Sequence, residues 1–396
     1  MIQISPETQL FIREHSSDDV RALALQAKKY PDINMPTAIT QIAGRQVAAE
    51  KIPSWREIEE IWYPKHLSLE QCSSEITARY KARLFQGDSL IDLTGGFGID
   101  CSFLATGFKT ATYVERQEEL CEIAAHNFPI LNLNHINVRN EDGVAYLQTM
   151  SPVDCIFLDP ARRNEHGGKT VAISDCEPNV AELEALLLSK VNRVMIKLSP
   201  MLDLSLALKE LKHTQEIHIL SVNNECKELL ILLGQTSPAE IAIHCVNLLT
   251  KGTQEEQHLV FTREQEQRSQ CTYTDSLGNY LYEPNASLLK AGAFRSIAAA
   301  YPVRKLHPNS HLYTSDSFIE NFPGRIFRIV NQCSFNKKEV KENLADLKKA
   351  NVTVRNFPTT VAELRKRLHL TEGGDTYLFA STLNNGQKVI IRCEKV

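Results

Sequence analysis

The spacing of apolar and polar positions changes twice along this chain, and each change marks a different kind of architecture. Residues 1–84 carry a helical pattern. Ser17-Asp18-Asp19 can cap a helix that runs through Val20-Arg21-Ala22-Leu23-Ala24-Leu25-Gln26. Further helical stretches follow at residues 37–50 and 54–62, and Ser68-Leu69-Glu70-Gln71 opens another that carries Glu75, Thr77, Arg79, Tyr80 and Lys81. From residue 89 short apolar runs alternate with helical ones. Residues 89–93, 110–114, 134–138, 153–158 and 193–198 read as strands, with helices between them, for example over 118–127 and 180–188. Strands that alternate with helices predict a parallel sheet covered on both faces, with its ligand beyond the carboxyl ends of the strands. After Leu198 the pattern changes again. Residues 216–222 and 227–233 read as a hairpin around Asn223-Asn224-Glu225-Cys226. Strands over 240–248 and 258–262 and a helix near 286–299 follow. A helix at 338–350, a strand at 352–356, a helix at 361–368 and strands at 377–382 and 388–393 close a small α/β module.

Composition narrows the class without naming an activity. With 43% hydrophobic and 23% charged residues among 396, this is the composition of an ordinary globular protein of two or three domains. No apolar run approaches the roughly 18 residues of a membrane span, and the start Met1-Ile2-Gln3-Ile4-Ser5-Pro6-Glu7 lacks the basic and apolar regions of a secretory signal. The ten cysteines contain no Cys-x-x-Cys pair, which predicts reduced thiols in the cytoplasm rather than disulfides or a zinc site. The net charge of −4 is unevenly spread. From Pro323 to Val396 there are 14 Lys+Arg and 7 Asp+Glu, or +7, which leaves −11 for residues 1–322. Such segregation predicts a basic module that meets nucleic acid, although a lysine-rich solvated surface has the same composition.

The chemistry concentrates where the first strand ends, in Leu90-Ile91-Asp92-Leu93-Thr94-Gly95-Gly96-Phe97-Gly98-Ile99-Asp100. An apolar strand gives way to a carboxylate, a glycine turn and a helix. Glycines let backbone approach a ligand closely, and a helix amino end attracts polar groups. A dinucleotide fingerprint read from Gly96 would require glycine where Cys101 stands, which places a nicotinamide oxidoreductase low among the readings. Asp92 would also repel a pyrophosphate, whereas it suits a ligand that carries a sulfonium and an α-amino group. Glu115 ends the second strand and can accept from both ribose hydroxyls. Glu141-Asp142 follows the third strand, near the expected adenine edge. The fourth ends Phe157-Leu158-Asp159-Pro160-Ala161-Arg162-Arg163. Singly, these are a turn, a surface carboxylate, a helix cap and another turn. Their weight lies in standing at consecutive ends of one sheet.

In this series residues 88–200 resemble class I S-adenosylmethionine-dependent methyltransferases, in particular those acting on RNA. The whole chain is similar to a group of bacterial proteins that join this domain to a ferredoxin-like segment and a C-terminal THUMP-like domain. Arg355-Asn356-Phe357-Pro358, Ala362-Glu363-Leu364-Arg365 and Glu372-Gly373-Gly374-Asp375-Thr376-Tyr377-Leu378-Phe379 carry the C-terminal likeness, and Glu70-Gln71-Cys72-Ser73-Ser74-Glu75 with Thr77-Ala78-Arg79-Tyr80-Lys81 carries it before the first strand. The resemblance implies an α/β fold with a Rossmann-like, seven-stranded, mostly parallel methyltransferase sheet, an N-terminal helical region and small C-terminal α/β domains. The divisions would be 1–84 helical, 85–235 cofactor-binding, 236–330 ferredoxin-like and 331–396 THUMP-like and basic. It implies S-adenosyl-L-methionine as cofactor, with Asp92, Thr94, Gly95, Gly96, Gly98, Glu115, Asp142 and Asp159 binding it, and no metal among the site residues.

The acceptor side departs from the related enzymes. Those that methylate exocyclic amines carry Asn/Asp-Pro-Pro-aromatic at the fourth strand end. Here Asp159-Pro160-Ala161-Arg162 keeps two positions and lacks the aromatic platform. Enzymes that methylate carbon 5 of uracil carry Asp-Pro-Pro-Arg, which Arg162 fits, but they need a cysteine after the fifth strand, where Lys197-Leu198-Ser199-Pro200 stands. A serine does not replace an ionisable thiol that adds to the base. Asp159, Pro160 and Arg162 are the candidate catalytic residues, with Arg162 and Arg163 available to phosphate. Lys197 either sits near the acceptor pocket or, as is commoner for such a residue, ends its strand with its charge in solvent. The basic terminus, with Lys337, Lys338, Lys341, Lys348, Lys349 and Arg365-Lys366-Arg367, can track phosphates, so tRNA or rRNA is the expected partner and no membrane is. The rival readings are an RNA-binding protein that keeps the cofactor pocket without turnover, and a methyltransferase for protein or a small molecule.

Overall fold

The computed structural model describes residues 4–162, 172–252 and 254–396. The chain forms two compact units, Met1–Gln215 with Leu230–Ser237, and Glu216–Leu229 with Pro238–Val396.

The first unit opens with six helices, α1 (Pro6–Glu14), α2 (Val20–Leu25), α3 (Met35–Lys51), α4 (Pro53–Arg56), α5 (His66–Gln71) and α6 (Glu75–Leu84). Asp19 starts α2 as its sequence predicts, accepting from the backbone N–H groups of Arg21 at 2.8 Å and Ala22 at 2.9 Å. Phe11, Ile12, Leu23, Met35, Ala38 and Ile42 bury one apolar cluster. A second cluster joins Trp55, Ile61, Tyr63 and Ala78 to Phe97 and Ile99, and the Trp55 ring meets Phe97 edge-on at 5.3 Å. Burying each such side chain is worth about 1.5–3 kcal/mol, so the helices are fastened to the glycine turn itself.

The turn belongs to an alternating series: β1 (Gly87–Asp92), α7 (Ile99–Ala105), β2 (Phe108–Glu115), α8 (Glu118–Ile130), β3 (Ile136–Asn140), α9 (Gly143–Thr149) and β4 (Val153–Leu158). After a two-stranded ribbon of β5 (Ala161–Arg162) and β6 (Cys176–Glu177) come α10 (Val180–Lys190), β7 (Val191–Leu198) and α11 (Leu204–Glu210). β8 (Thr214–Val222) and β9 (Glu225–Gly234) then form the expected hairpin, turning on Asn223 and Asn224, both at positive φ. β3, β2, β1, β4 and β7 pair in parallel. The carboxyl-terminal halves of β1 and β4 are buried, as expected of strands covered on both faces.

The main sheet has nine strands rather than the expected seven, in the order β11-β10-β8-β9-β7-β4-β1-β2-β3. The additional two are β10 (Ala242–Leu248) and β11 (Glu256–Phe261). β10 lies parallel to β8 along its whole length, and β11 runs antiparallel to β10. Both strands are visible in the sequence as apolar runs. Their place in this sheet is not, because β10 joins it by pairing with β8, an element well back in the sequence, and such a pairing leaves no local periodicity.

The second unit continues with α12 (Arg263–Arg268), β12 (Tyr280–Pro284), α13 (Ala286–Ala291), α14 (Phe294–Ala300), β13 (Arg304–Lys305), β14 (Tyr313–Ser315), β15 (Gly324–Ser334), α15 (Lys337–Leu344), β16 (Asn351–Val354), α16 (Val361–Leu368), β17 (Thr376–Thr382) and β18 (Lys388–Lys395). Its mixed sheet has the order β13-β14-β12-β15-β18-β17-β16. The single helix expected over 286–299 is two, broken where Gly292 takes φ +77°. Among the described residues no helix is long and apolar enough to cross a membrane.

Candidate active site

The carboxyl ends of β1, β2 and β4 bring Asp92, Glu115 and Asp159 together around the glycine turn. In register, Asp92 lies beside Tyr113 of β2 and Phe157 of β4, so Glu115 and Asp159 each stand two residues past a neighbour of Asp92. The Gly96 N–H donates to Glu115 Oε2 at 2.9 Å and the Gln117 N–H to Glu115 Oε1 at 2.8 Å. The Asp159 N–H donates to Thr94 Oγ1 at 2.6 Å, which ties the turn to the fourth strand. The glycines are required. A Cβ on Gly95 would lie 2.2 Å from the Tyr113 ring, whose hydroxyl donates to the Gly96 carbonyl at 2.5 Å. Gly98 takes φ +85°, in the left-handed region.

Asp92 is 1% exposed. Its Oδ1 accepts from the Thr94 N–H at 3.0 Å, while its Oδ2 has no hydrogen-bond partner. Burial, with Asp100, Asp159 and Glu115 as like charges nearby, pushes the carboxyl up to about 8, against the pull of the Thr94 hydrogen bond. A buried polar atom left without a partner costs about 1–3 kcal/mol, which marks the atom as one kept for something other than stability.

Behind the strand ends lies a buried network of charges. Asp100, in the first turn of α7, meets Lys81 Nζ through Oδ1 at 2.7 Å. Its Oδ2 accepts from Ser73 Oγ at 2.7 Å and faces Lys197 Nζ at 3.4 Å. Lys197, at the end of β7, reaches on to Asp159 Oδ2 at 2.5 Å. Burial works against the charge of Asp100, but Lys81 and Lys197 outweigh it and hold the carboxyl at about 2. Burial holds the Asp159 carboxyl above its ordinary value, and Lys197 offsets only part of that rise. Lys197 is therefore 8% exposed and paired, not the solvated strand end that its sequence position suggests. A buried ammonium is tolerated here because two carboxylates and a hydroxyl surround it.

Sequence reasoning missed Ser73, Lys81 and Asp100 as site residues. Ser73 and Lys81 stand inside the two motifs that precede the first strand, and that was the available signal. Asp142 caps α9, its Oδ1 accepting from the N–H groups of Val144 and Ala145 at 3.0 Å. Pro160 is buried beside Asp159. Arg162 forms part of β5. Its side chain, and Arg163, lie outside the described residues.

Residues 280–323 match the family model of a ferredoxin-like domain and residues 324–395 that of a THUMP-like domain. No curated protein matches the sequence. A Porphyromonas gingivalis W83 protein of known structure, which carries the name "putative methyltransferase", is 34% identical over 100% of both chains, with a TM-score of 0.87. An rRNA methylase from Streptococcus thermophilus is 13% identical over 41% of this chain and 95% of its own, at a TM-score of 0.30. TrmK from M. capricolum, in complex with S-adenosyl-homocysteine, is 12% identical over 41% of this chain and 68% of its own, at 0.32. At those scores the last two carry no argument about this chain.

Proposed function

The chain belongs to the family of the Porphyromonas gingivalis protein, methyltransferase-like proteins with ferredoxin-like and THUMP-like C-terminal domains, and from that premise we propose that it is an S-adenosylmethionine-dependent methyltransferase acting on a nucleotide of structured RNA, tRNA or rRNA, in the cytoplasm. The observation that carries this reading is the unpartnered, buried Oδ2 of Asp92 beside a turn that only glycine can make. A neutral or anionic ligand would leave that carboxyl protonated. A ligand with positive sulfonium and amino groups gives it a counter-charge, so the residues present fit this cofactor.

When bound, the cofactor supplies a methyl group made electrophilic by the adjacent sulfonium. The protein's part is to hold and orient. Asp92 and Thr94 face the cationic end, Gly95, Gly96 and Gly98 let the backbone approach, Glu115 accepts from the ribose hydroxyls, and Asp142 takes the adenine edge. Glu115 donates nothing and already fixes the turn through Gly96 and Gln117, so its remaining lone pairs are in place before the ligand arrives. Asp159, held through Oδ2 by Lys197, offers its other oxygen to the acceptor, with Pro160 fixing the loop and Arg162 available to phosphate. The domain divisions proposed with this reading are 1–84, 85–235, 236–330 and 331–396.

RNA as acceptor is supported by the +7 charge of residues 323–396 and by the exposed lysines of α15 and α16. The missing aromatic platform after Pro160 favours one second reading, an RNA-binding protein that keeps the pocket without turnover. Incubating the purified protein with labelled S-adenosylmethionine and RNA from a strain lacking the gene, then digesting to nucleosides, separates the two. We expect one labelled nucleoside, lost in the Asp92→Ala variant along with cofactor binding. Cofactor binding with no label in RNA would remove the RNA methyltransferase reading, and unchanged cofactor affinity in Asp92→Ala would remove the site.

A further inference from the structure

Glu216, His218, His244 and His258 share one face of the second unit's part of the main sheet. Side chains alternate along a strand, so Glu216 and His218 of β8 point the same way. His244 of β10 lies directly beside His218 in the parallel register. His258 of β11 lies opposite Val246, two residues along β10 from His244 and on the same face. Three strands thus place three imidazoles and a carboxylate side by side.

The donor atoms converge. His218 Nε2 is 3.3 Å from Glu216 Oε2, and His244 Nε2 is 3.9 Å from the same oxygen. One ligand atom from each of the three lies within 4.8 Å of the others. Tetrahedral coordination with bonds of 2.0–2.1 Å separates donor atoms by about 3.3 Å, so one contact already has that spacing and a small turn of the Glu216 side chain supplies the next. That side chain is half exposed and His218 is 2% exposed. The second nitrogen of His244, Nδ1, lies 3.2 Å from His258 Nε2. A hydrogen bond there fixes the tautomer that points Nε2 at Glu216, which is how metal-binding histidines are oriented. His218 and His244 stack at 4.3 Å between ring centroids, 16° from parallel, so one ring turns out of the stack for both lone pairs to meet a single ion.

We propose that Glu216, His218 and His244 form a site for a divalent transition metal of the zinc class, with His258 orienting His244. Two imidazoles and one carboxylate suit zinc and its neighbours in the series and offer too few oxygens for calcium or magnesium. The ion clasps β8 to β10 and so fastens the two strands that extend the sheet beyond seven. The site uses no cysteine and none of the residues assigned to methyl transfer, so it does not depend on that assignment.

The test is a zinc titration of tag-free, chelator-stripped, full-length protein by calorimetry, repeated with cobalt, whose visible absorption reports imidazole coordination. We expect one ion per chain. His244→Ala should weaken binding by more than about 100-fold, and His258→Ala by about 10–100-fold, the effect of losing an orienting partner. Glu216→Gln, at a half-exposed position where the fold is retained, should also weaken binding and alter the cobalt spectrum. No saturable one-to-one binding by the wild type, or an affinity unchanged from the wild type in both Glu216→Gln and His244→Ala, overturns the proposal.

Discussion

Asp92 keeps its proton at pH 7 in the ligand-free protein, because its carboxyl sits at about 8. The unfolded chain loses that proton near 4, so between about pH 4 and 8 the folded state binds more protons and stability falls as pH rises. Asp92→Asn removes this dependence. We predict that the variant melts higher than the wild type at pH 8, by about 1–3 kcal/mol, that the gain vanishes towards pH 4, and that cofactor binding is lost at every pH. A variant no more stable at pH 8 than the wild type would show that Asp92 is not a strained carboxylate. Asp100 has the opposite sign. Its carboxyl, held at about 2, contributes stability above about pH 4 that is lost as the pH falls through 2. The sequence pointed to Asp92 because a carboxylate between an apolar strand and glycines has few structural uses. It could not distinguish Lys197, whose position at a strand end is the same whether helix α6 and the α7 terminus cover it or not.

At the scale of elements, the network of Lys81, Ser73, Asp100, Lys197 and Asp159 ties α6 and α7 to the ends of β7 and β4. With both lysines and both aspartates ionised it is neutral, and removing one charge leaves another buried without compensation. Lys81→Met should therefore destabilise by about 3–5 kcal/mol. Adding Asp100→Asn restores neutrality and leaves the pair of Lys197 and Asp159, so the double variant should recover most of the loss. Melting temperatures would fall in the order wild type, double variant, Lys81→Met. A double variant that melts below Lys81→Met would show that the network acts as packing and not as charge. Local signals settled the elements whose ends are chemical. Helix α16 begins at its expected residue because Thr360 and Glu363 cap each other's backbone, and it ends at its expected Leu368 because His369 turns into the left-handed region at φ 55°. Elements set by distant partners were less legible. The helix expected over 338–350 stops at Leu344, and Lys349 instead pairs with Thr371 in an isolated bridge. The metal-ligating face was equally hidden, since its four residues are spread over three strands.

At the scale of the whole molecule, charge is what distinguishes the C-terminal segment, +7 against −11 for the rest. Charge alone does not make a phosphate-binding face, because some of these cations are already engaged. Arg365 pairs with Glu372 at 3.1 Å, Arg392 with Asp346 at 3.0 Å, and Arg367 lies 4.0 Å over the Phe335 ring. Lys337, Lys338 and Lys366 are exposed on α15 and α16, and they are the positions where the RNA reading makes its sharpest claim. Each phosphate contact contributes about 0.7 to 0.9 to the slope of log affinity against log salt. Replacing all three lysines with Gln should therefore reduce the slope for RNA by about 2 and weaken binding at low salt, while cofactor affinity, set by Asp92 and Glu115, stays as it is. Filter binding across a salt series reads both quantities. A slope that does not change would mean the basic segment is only a solvated surface, and RNA would then have to be held by some other face of the protein.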